Sequence, residues 1–314
     1  HLVLRRQRQM CIRDRLLGED CSANMGLADF HQYHPSKMAI HEADTVIMIG
    51  GRLDNQMNFG NPPFIPKDTK LICVNGSSEE LEYNFAADEI LLSHPAAFLD
   101  AMTSINRKWE NWFELQTERR KKWVEDWENH LLKEEIEDSK SNRKMHPLQL
   151  GVDIISEMND EDWLVFDGGN THFWNEIAVN ISGWRGKKLG GIMHPGNYSL
   201  LGVGISFGIS AKAAYPDKNV VVISGDGAFL SGGLSIESAF QEGLPIIVVI
   251  DNNGGLDCIS QQQERLFANG QHYATDFRDI PFHTMFEGLG GYGELVTTRS
   301  CLLYTSDAAD EERG

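Results

Sequence analysis

The chain has 314 residues, of which 28 are basic and 46 acidic, a formal charge of −18. So acidic a chain is a poor partner for nucleic acid or an anionic membrane surface, and no apolar run approaches the ~20 residues of a membrane span. Its cysteines show neither metal-ligand spacing nor a disulfide framework, which fits a reducing cytoplasm.

The two ends stand apart from the rest. Arg5 to Asp14 and Cys301 to Asp310 can be encoded by DNA strings that overlap as reverse complements of one another. They resemble a sequencing adapter translated at both ends, and such scars are excluded from fold reasoning. The native chain is therefore expected to run from about Leu16 to about Thr298, as a fragment of a longer gene. Residues 1–15 hold five Arg and one Asp, and residues 299–314 hold two Arg and four acidic residues, so the native part has 21 basic and 41 acidic residues, or −20.

Residues 16–34 are polar and weakly periodic. Ala43 to Asp54 reads as a strand ending at the Gly50-Gly51 turn, which lacks the G-x-G-x-x-G spacing of a dinucleotide fingerprint. Thr69 to Asn75 reads as a strand, Ser78 to Leu81 as a helical start and Ile90 to Leu92 as a short strand. Ser93-His-Pro-Ala96 opens a helix, with Pro near its first turn. From Asn106 to Lys144 the chain is rich in Glu, Lys, Arg and Trp. Trp109, Trp112, Phe113, Gln116, Arg120, Trp123 and Trp127 recur as on one face of a helix.

A second α/β region follows Met145-His-Pro147. Leu148 to Ile155 reads as a helix and Trp163 to Phe166 as a strand ending in Asp167-Gly-Gly-Asn170-Thr171. Asn197 to Gly204 leads into a helix reaching Ala214. Val220 to Ser224 and Pro245 to Ile250 are β-branched runs that read as parallel strands buried on both faces, with room for one crossover helix between Gly232 and Gly243. Pro281 to Leu289 reads as a helix and Gly290 to Val296 as the start of a strand. The two runs end on one sheet edge, at Gly225-Asp226-Gly227 and Asn252-Asn253-Gly-Gly255, where open α/β sheets bind ligands. A carboxylate and a carboxamide there suit Mg²⁺ holding a diphosphate. This grammar predicts an α/β chain of two Rossmann-like three-layer domains with mainly parallel sheets, joined by a helical connector. The expected bounds are 16–105 for a partial central domain, 106–146 for the connector and 147–298 for a C-terminally truncated second domain.

Gly225-Asp226-Gly227, then 24 residues, then Asn252-Asn253 resembles the signature of thiamine-diphosphate enzymes. Asp167 to Trp174, Ser199 to Gly204 and Glu42 to Asp54 are similar to segments of the acetolactate synthases. Phe59-Gly-Asn-Pro-Pro63 and Glu79 to Asn84 look more like oxalyl-CoA decarboxylase and 2-hydroxyacyl-CoA lyase. The resemblance implies Asp226 and Asn253 as side-chain Mg²⁺ ligands, with the Gly255 carbonyl as a third. It implies diphosphate contacts from Asn170, Thr171, Gly225, Gly227 and the backbone of Ala228 and Phe229. Leu201 would be the apolar wedge beneath the cofactor, and the Ser199 carbonyl would orient its amino group.

Asn75 and Ser77 stand where acetolactate synthases carry Asp residues near FAD, which argues against FAD here. The family's proton-relay glutamate belongs to a domain expected before Leu16, so no catalytic residue is assigned. This chain alone is expected to be inactive, with a homodimer or homotetramer completing the site. The activity implied is decarboxylation of a 2-oxo acid with carboligation, acetolactate synthase-like; the alternatives are C–C cleavage of an acyl-CoA substrate, or a non-catalytic binding or regulatory subunit.

Overall fold

The computed structural model describes residues 21, 23–26, 34–83, 87–104, 110–141, 145–196, 200–267 and 269–302, with the backbone only for 110 and 135–141. Two compact units divide between Trp127 and Glu128. Each contains an all-parallel sheet with helices, so both are α/β.

In the first unit, α1 (Pro35–Glu42) starts at a proline, whose fixed φ suits a first turn. Strands β1 (Thr45–Ile49), β2 (Lys70–Asn75) and β3 (Glu89–Leu92) pair parallel in that order. The register sets Ile47 opposite Ile72 and Cys73 opposite Ile90. Central β2 gives Leu71 and Cys73 to a core with Leu53, Phe64, Ile65 and Leu81. Burial pushes the Cys73 thiol up to about 11, so it packs as an apolar group. Helix α2 (Ser78–Glu82) is capped by Ser77, whose hydroxyl accepts the Glu80 N–H at 3.4 Å. Asn75 Oδ1 accepts the Ser77 N–H at 3.1 Å. Helix α3 (Pro95–Met102) follows β3.

The long helix α4 (Glu110–Ser141) crosses the division between the units. Its expected aromatic face is only half right. Gln116, Arg120 and Trp123 are buried, whereas Trp112 and Phe113 are 42% and 37% exposed. Trp109 lies outside the described residues. The buried stretch is fixed by polar partners: Arg120 donates to the carbonyls of Cys21 and Asn24, and Arg119 pairs bidentately with Glu42. That pairing holds the Glu42 carboxyl below its ordinary range.

In the second unit, α5 (Pro147–Glu157) leads to β4 (Trp163–Phe166), α6 (Asn170–Trp184), β5 (Gly191–Met193), α7 (Gly204–Ala214) and β6 (Val220–Gly225). Then come α8 (Asp226–Gly232), a 3-10 turn (Gly233–Ser235), α9 (Ile236–Gln241), β7 (Ile247–Asp251), α10 (Asp257–Leu266) and α11 (Phe282–Gly288). The sheet order is β5-β4-β6-β7, with Phe166 opposite Ile223 and Gly225 opposite Asp251. Val165, Val220, Val222, Ile205, Phe229, Ile236 and Phe282 form its core.

Two expectations need correction and one is extended. The helix expected between Gly232 and Gly243 is α9, and it is preceded by a 3-10 turn and a further helix, α8, that begins at Asp226 itself. The break falls at Gly232, whose Cα lies so close to the Gly202 carbonyl that any side chain would collide. Strand β7 is not buried on both faces, since it ends the row of described strands and Ile247 is 44% exposed. Residues 290–296 form no strand; Tyr292 there is 82% exposed.

Candidate functional site at the strand ends

Two carboxylates close the central strands. Asp167 follows β4, and Asp226 follows Gly225 of β6. Both are buried, at 0% and 2% exposure. A buried carboxylate needs hydrogen-bond donors, and each finds them in glycine N–H groups of a neighbouring loop.

Asp226 Oδ2 accepts the Gly254 and Gly255 N–H groups at 2.8 and 2.9 Å, and Oδ1 accepts its neighbour Gly227 at 2.7 Å. The Gly255 N–H is shared: it also donates to Asn253 Oδ1 at 3.1 Å. One backbone donor therefore draws the carboxylate and the carboxamide oxygens together. Beyond it, Gly254 and Leu256 bond to residues 275–277 through the Gly254 carbonyl and the Leu256 N–H, both at 2.8 Å. Carbonyls alternate along an extended strand, so the Gly255 carbonyl points to the opposite side, with its N–H, toward Asp226. Gly254 needs its glycine: φ is +89°, and nothing lies near its missing side chain.

The sequence marks Asp167 as a strand end and as the head of a family-like turn, with no role of its own. Its Oδ1 accepts Gly168 and Gly202 N–H groups at 2.8 and 2.9 Å, and its Oδ2 accepts Gly204 N–H at 3.0 Å and the Ser224 hydroxyl at 3.3 Å. It thus pins the loop that carries Leu201. Leu201 Cδ2 lies 3.4 Å from where a side chain on Gly169 would begin. Gly169 has φ +82° and opens α6, so Leu201 sits against the turn that presents Asn170 and Thr171. The signal in the sequence was an acidic residue before Gly-Gly, too common to single out.

Thr171 is buried, with Oγ1 3.0 Å from the position a Gly225 side chain would take. Asn170 is turned elsewhere, donating to Asp257 Oδ2 at the start of α10. Ala228 and Phe229 are both 4% exposed. The Phe229 ring packs on Phe282 and Phe286 at 5.5 Å, so only its backbone can face a ligand. Gly227 lies under Leu256 and Phe277, with Leu256 Cδ2 2.5 Å from its would-be Cβ. Ser199 lies outside the described residues. The structure therefore joins Thr171 to Gly225 and Asp226 to Asn253 and Gly255, and ties Leu201 to Gly169.

Hard oxygen donors on converging loops fit Mg²⁺, which takes few protein carboxylates and keeps phosphate and water oxygens. The first N–H groups of α8 have no intrahelical carbonyl partner and lie at the same strand end. A cavity of about 280 Å³ lined by Glu128, Gln149, Asp153, Arg185 and Arg299 runs along α4 and α5, and no strand-end residue lines it.

Fold and site define an α/β protein with a crevice at the carboxyl ends of β4, β6 and β7, the place where open α/β sheets bind ligands. The chain carries two domains of the thiamine pyrophosphate enzyme family. Residues 12–102 match the thiamine pyrophosphate enzyme central domain, and residues 169–311 match the C-terminal TPP binding domain. A 2-hydroxyacyl-CoA lyase of Oryza sativa subsp. japonica is 28% identical over 281 residues, 83% of this chain and 46% of that protein. The acetolactate synthase large subunit of Lactococcus lactis is 26% identical over 270 residues, 85% of this chain and 44% of that protein. The 2-hydroxyacyl-CoA lyase 1 of Mus musculus is 26% identical over 264 residues, 77% and 43% of the respective lengths. The chain spans somewhat under half the length of these relatives. No helix of the described residues is long and apolar enough to cross a membrane.

Proposed function

We propose that this chain holds thiamine diphosphate by its diphosphate end. Mg²⁺ would be bound by the side chains of Asp226 and Asn253 and by the Gly255 carbonyl. Gly225, Gly227 and the backbone N–H groups of Ala228 and Phe229 would face the diphosphate, with Asn170 and Thr171 at the opposite turn. Leu201 would sit beneath the cofactor, and Ser199 would offer its carbonyl to the amino group. The observation that carries this reading is the shared Gly255 N–H, which brings the Asp226 and Asn253 oxygens onto one point.

The bound cofactor supplies an electron sink for breaking or making a C–C bond beside a carbonyl carbon. The chain's own part is to bind, orient and shield it. The substrate is a small 2-oxo acid or an acyl-CoA, and the two reactions named by the relatives divide on that point. Carboligation after decarboxylation is supported by the Asp167 to Trp174 and Leu201 segments. Acyl-CoA cleavage is supported by Phe59 to Pro63 and by the similarity to lyases from rice and mouse. With the domain expected before Leu16 present, incubation with a 2-oxo acid and, separately, a 2-hydroxyacyl-CoA separates them: CO₂ release supports the first, release of an aldehyde with the thioester kept on a one-carbon acyl-CoA the second. FAD is no part of the proposal, because Asn75 and Ser77 both turn into the cap of α2.

A homodimer or homotetramer and a cytoplasmic location belong to the same proposal. Exposed Leu234 and Leu266, at 71% and 78%, and free Cys21, Cys73 and Cys258 support them. The decisive test is thermal. Thiamine diphosphate with Mg²⁺ at about 100 times its Kd should stabilise the chain by ~2.7 kcal/mol. Asp226→Ala should abolish the shift. With the domain expected before Leu16 present, an unshifted wild type would overturn the assignment.

A further inference from the structure

Beneath the crevice, at the first turn of α6, lies a second polar cluster that the cofactor reading does not use. His172 and Glu176 are one helical turn apart, so both project from one face. They are 3% and 5% exposed, with Nε2 and Oε1 at 2.7 Å. That contact is close but off the line of the ring N–H, and both ring nitrogens of buried His172 lack a hydrogen-bond partner. His194, just after β5, completes the group: the candidate ligand atoms of all three lie within 4.8 Å of one another. The imidazole rings of His172 and His194 have centroids 4.8 Å apart. Phe166, the last residue of β4, stacks on His194 at 5.1 Å and lies 5.4 Å from His172.

A buried imidazole with neither ring nitrogen hydrogen-bonded, 2.7 Å from a buried carboxylate and beside a second imidazole, is a donor set that a divalent cation would satisfy. We propose that His172, Glu176 and His194 form a Zn²⁺ site, with a water as the fourth ligand. Two imidazole nitrogens and one carboxylate oxygen select zinc over the magnesium of the crevice, which takes oxygen ligands. Zinc–nitrogen bonds of about 2.0–2.1 Å require the three ligand atoms to draw together, by side-chain rotation. His194 is the weakest member. Its Nδ1 accepts the Gly196 N–H at 3.1 Å. A metal on Nδ1 displaces that bond, and a metal on Nε2 needs Nδ1 protonated and turned from the amide. The site would clamp the start of α6, with Asn170 and Thr171, to the segment that leads from β5 toward Leu201.

The test uses the full chain, stripped with a chelator and dialysed, then titrated with Zn²⁺ alone by calorimetry, with bound metal counted by mass spectrometry. The expected result is one zinc per chain and a rise in Tm. His172→Gln should abolish this binding, and Glu176→Gln and His194→Ala, which each remove a direct ligand, should weaken it by more than the about 10–100-fold that loss of an outer-shell partner costs. Asp226→Ala should leave the stoichiometry unchanged, which separates this site from the crevice. Far-UV circular dichroism checks that each variant is folded. Co²⁺ substitution of the wild type is independent of any variant's folding, and a four-coordinate site gives intense visible absorption. Equal zinc binding by wild type and His172→Gln, no stoichiometric binding by wild type, or a weak six-coordinate Co²⁺ spectrum would each overturn the site. The cluster would then be an imidazole–carboxylate pair without metal.

Discussion

Asp167 and Asp226 do the same physical job on adjacent strands. Each sits at a strand end and is stabilised by loop N–H groups that it in turn fixes. Asp226 is doubly committed, since the side chain that would hold a metal also holds Gly254 and Gly255. Asp167 has no such second duty and offers a cleaner probe. Asp167→Asn replaces an acceptor oxygen with an N–H₂ donor facing glycine amides or the Ser224 hydroxyl. Leaving one such buried amide unpaired costs about 1–3 kcal/mol. Urea unfolding should show that loss, and thiamine diphosphate affinity should fall as well because the loop bearing Leu201 is released. Wild-type stability together with wild-type affinity would mean that the carboxylate does not position the loop.

Between residue and domain, glycines and short polar clasps decide where elements stop. Gly202 and Gly232 meet backbone to backbone, which ends α8 and splits the crossover. Residues 271–277 run beside Gly254–Leu256 and are clasped to α10 by His272, whose Nε2 lies 2.7 Å from Glu264 and whose Nδ1 lies 3.7 Å from Asp276. The hydrogen bond to Glu264, with the charges of Glu264 and Asp276, raises the His272 pKa above its ordinary 6.5. A raised folded pKa means the clasp contributes fully below the unfolded value and fades as pH rises through the folded one. The Tm deficit of His272→Gln should therefore be largest near pH ~5.5 and vanish by pH ~9, around the ordinary histidine range. A pH-independent deficit would mean the charge plays no part. The same scale explains what the sequence could and could not tell. Strands β2, β4 and β6 announce themselves as β-branched or apolar runs, and Gly-Asp-Gly with Asn-Asn marks the crevice. Helix α6 was missed because its buried side carries Asn175, Glu176 and Asn180, with the two amides bonded to carbonyls one turn back. That polar face erases the apolar period. Strand β5 is three residues long, and Gly190 and Gly191 are there because Glu161 and the Trp163 ring leave no room for side chains. Such reasons are tertiary; 290–296, a glycine-rich run holding Glu294, finds no partner among the described strands.

At the scale of the whole chain, charge and division into units set the terms of binding. A formal charge of −18 opposes a diphosphate, and the strand ends add two carboxylates, Asp167 and Asp226, so the proposed diphosphate site calls for a divalent cation. Thiamine diphosphate without Mg²⁺ should then bind poorly. Every residue proposed to touch cofactor or metal lies between Asn170 and Gly255, within the second unit, which begins at Glu128. A ligand stabilises only those openings that destroy its site. At about 100 times Kd, amide exchange through such openings should slow about 100-fold. Hydrogen exchange read by mass spectrometry should therefore show strong added protection in β4, β6 and the start of α6, and none in β1, β2 and β3. Equal slowing of β2 and β6 would show that the two units open as one, and would remove the claim that this chain's contacts to the cofactor all lie in the second.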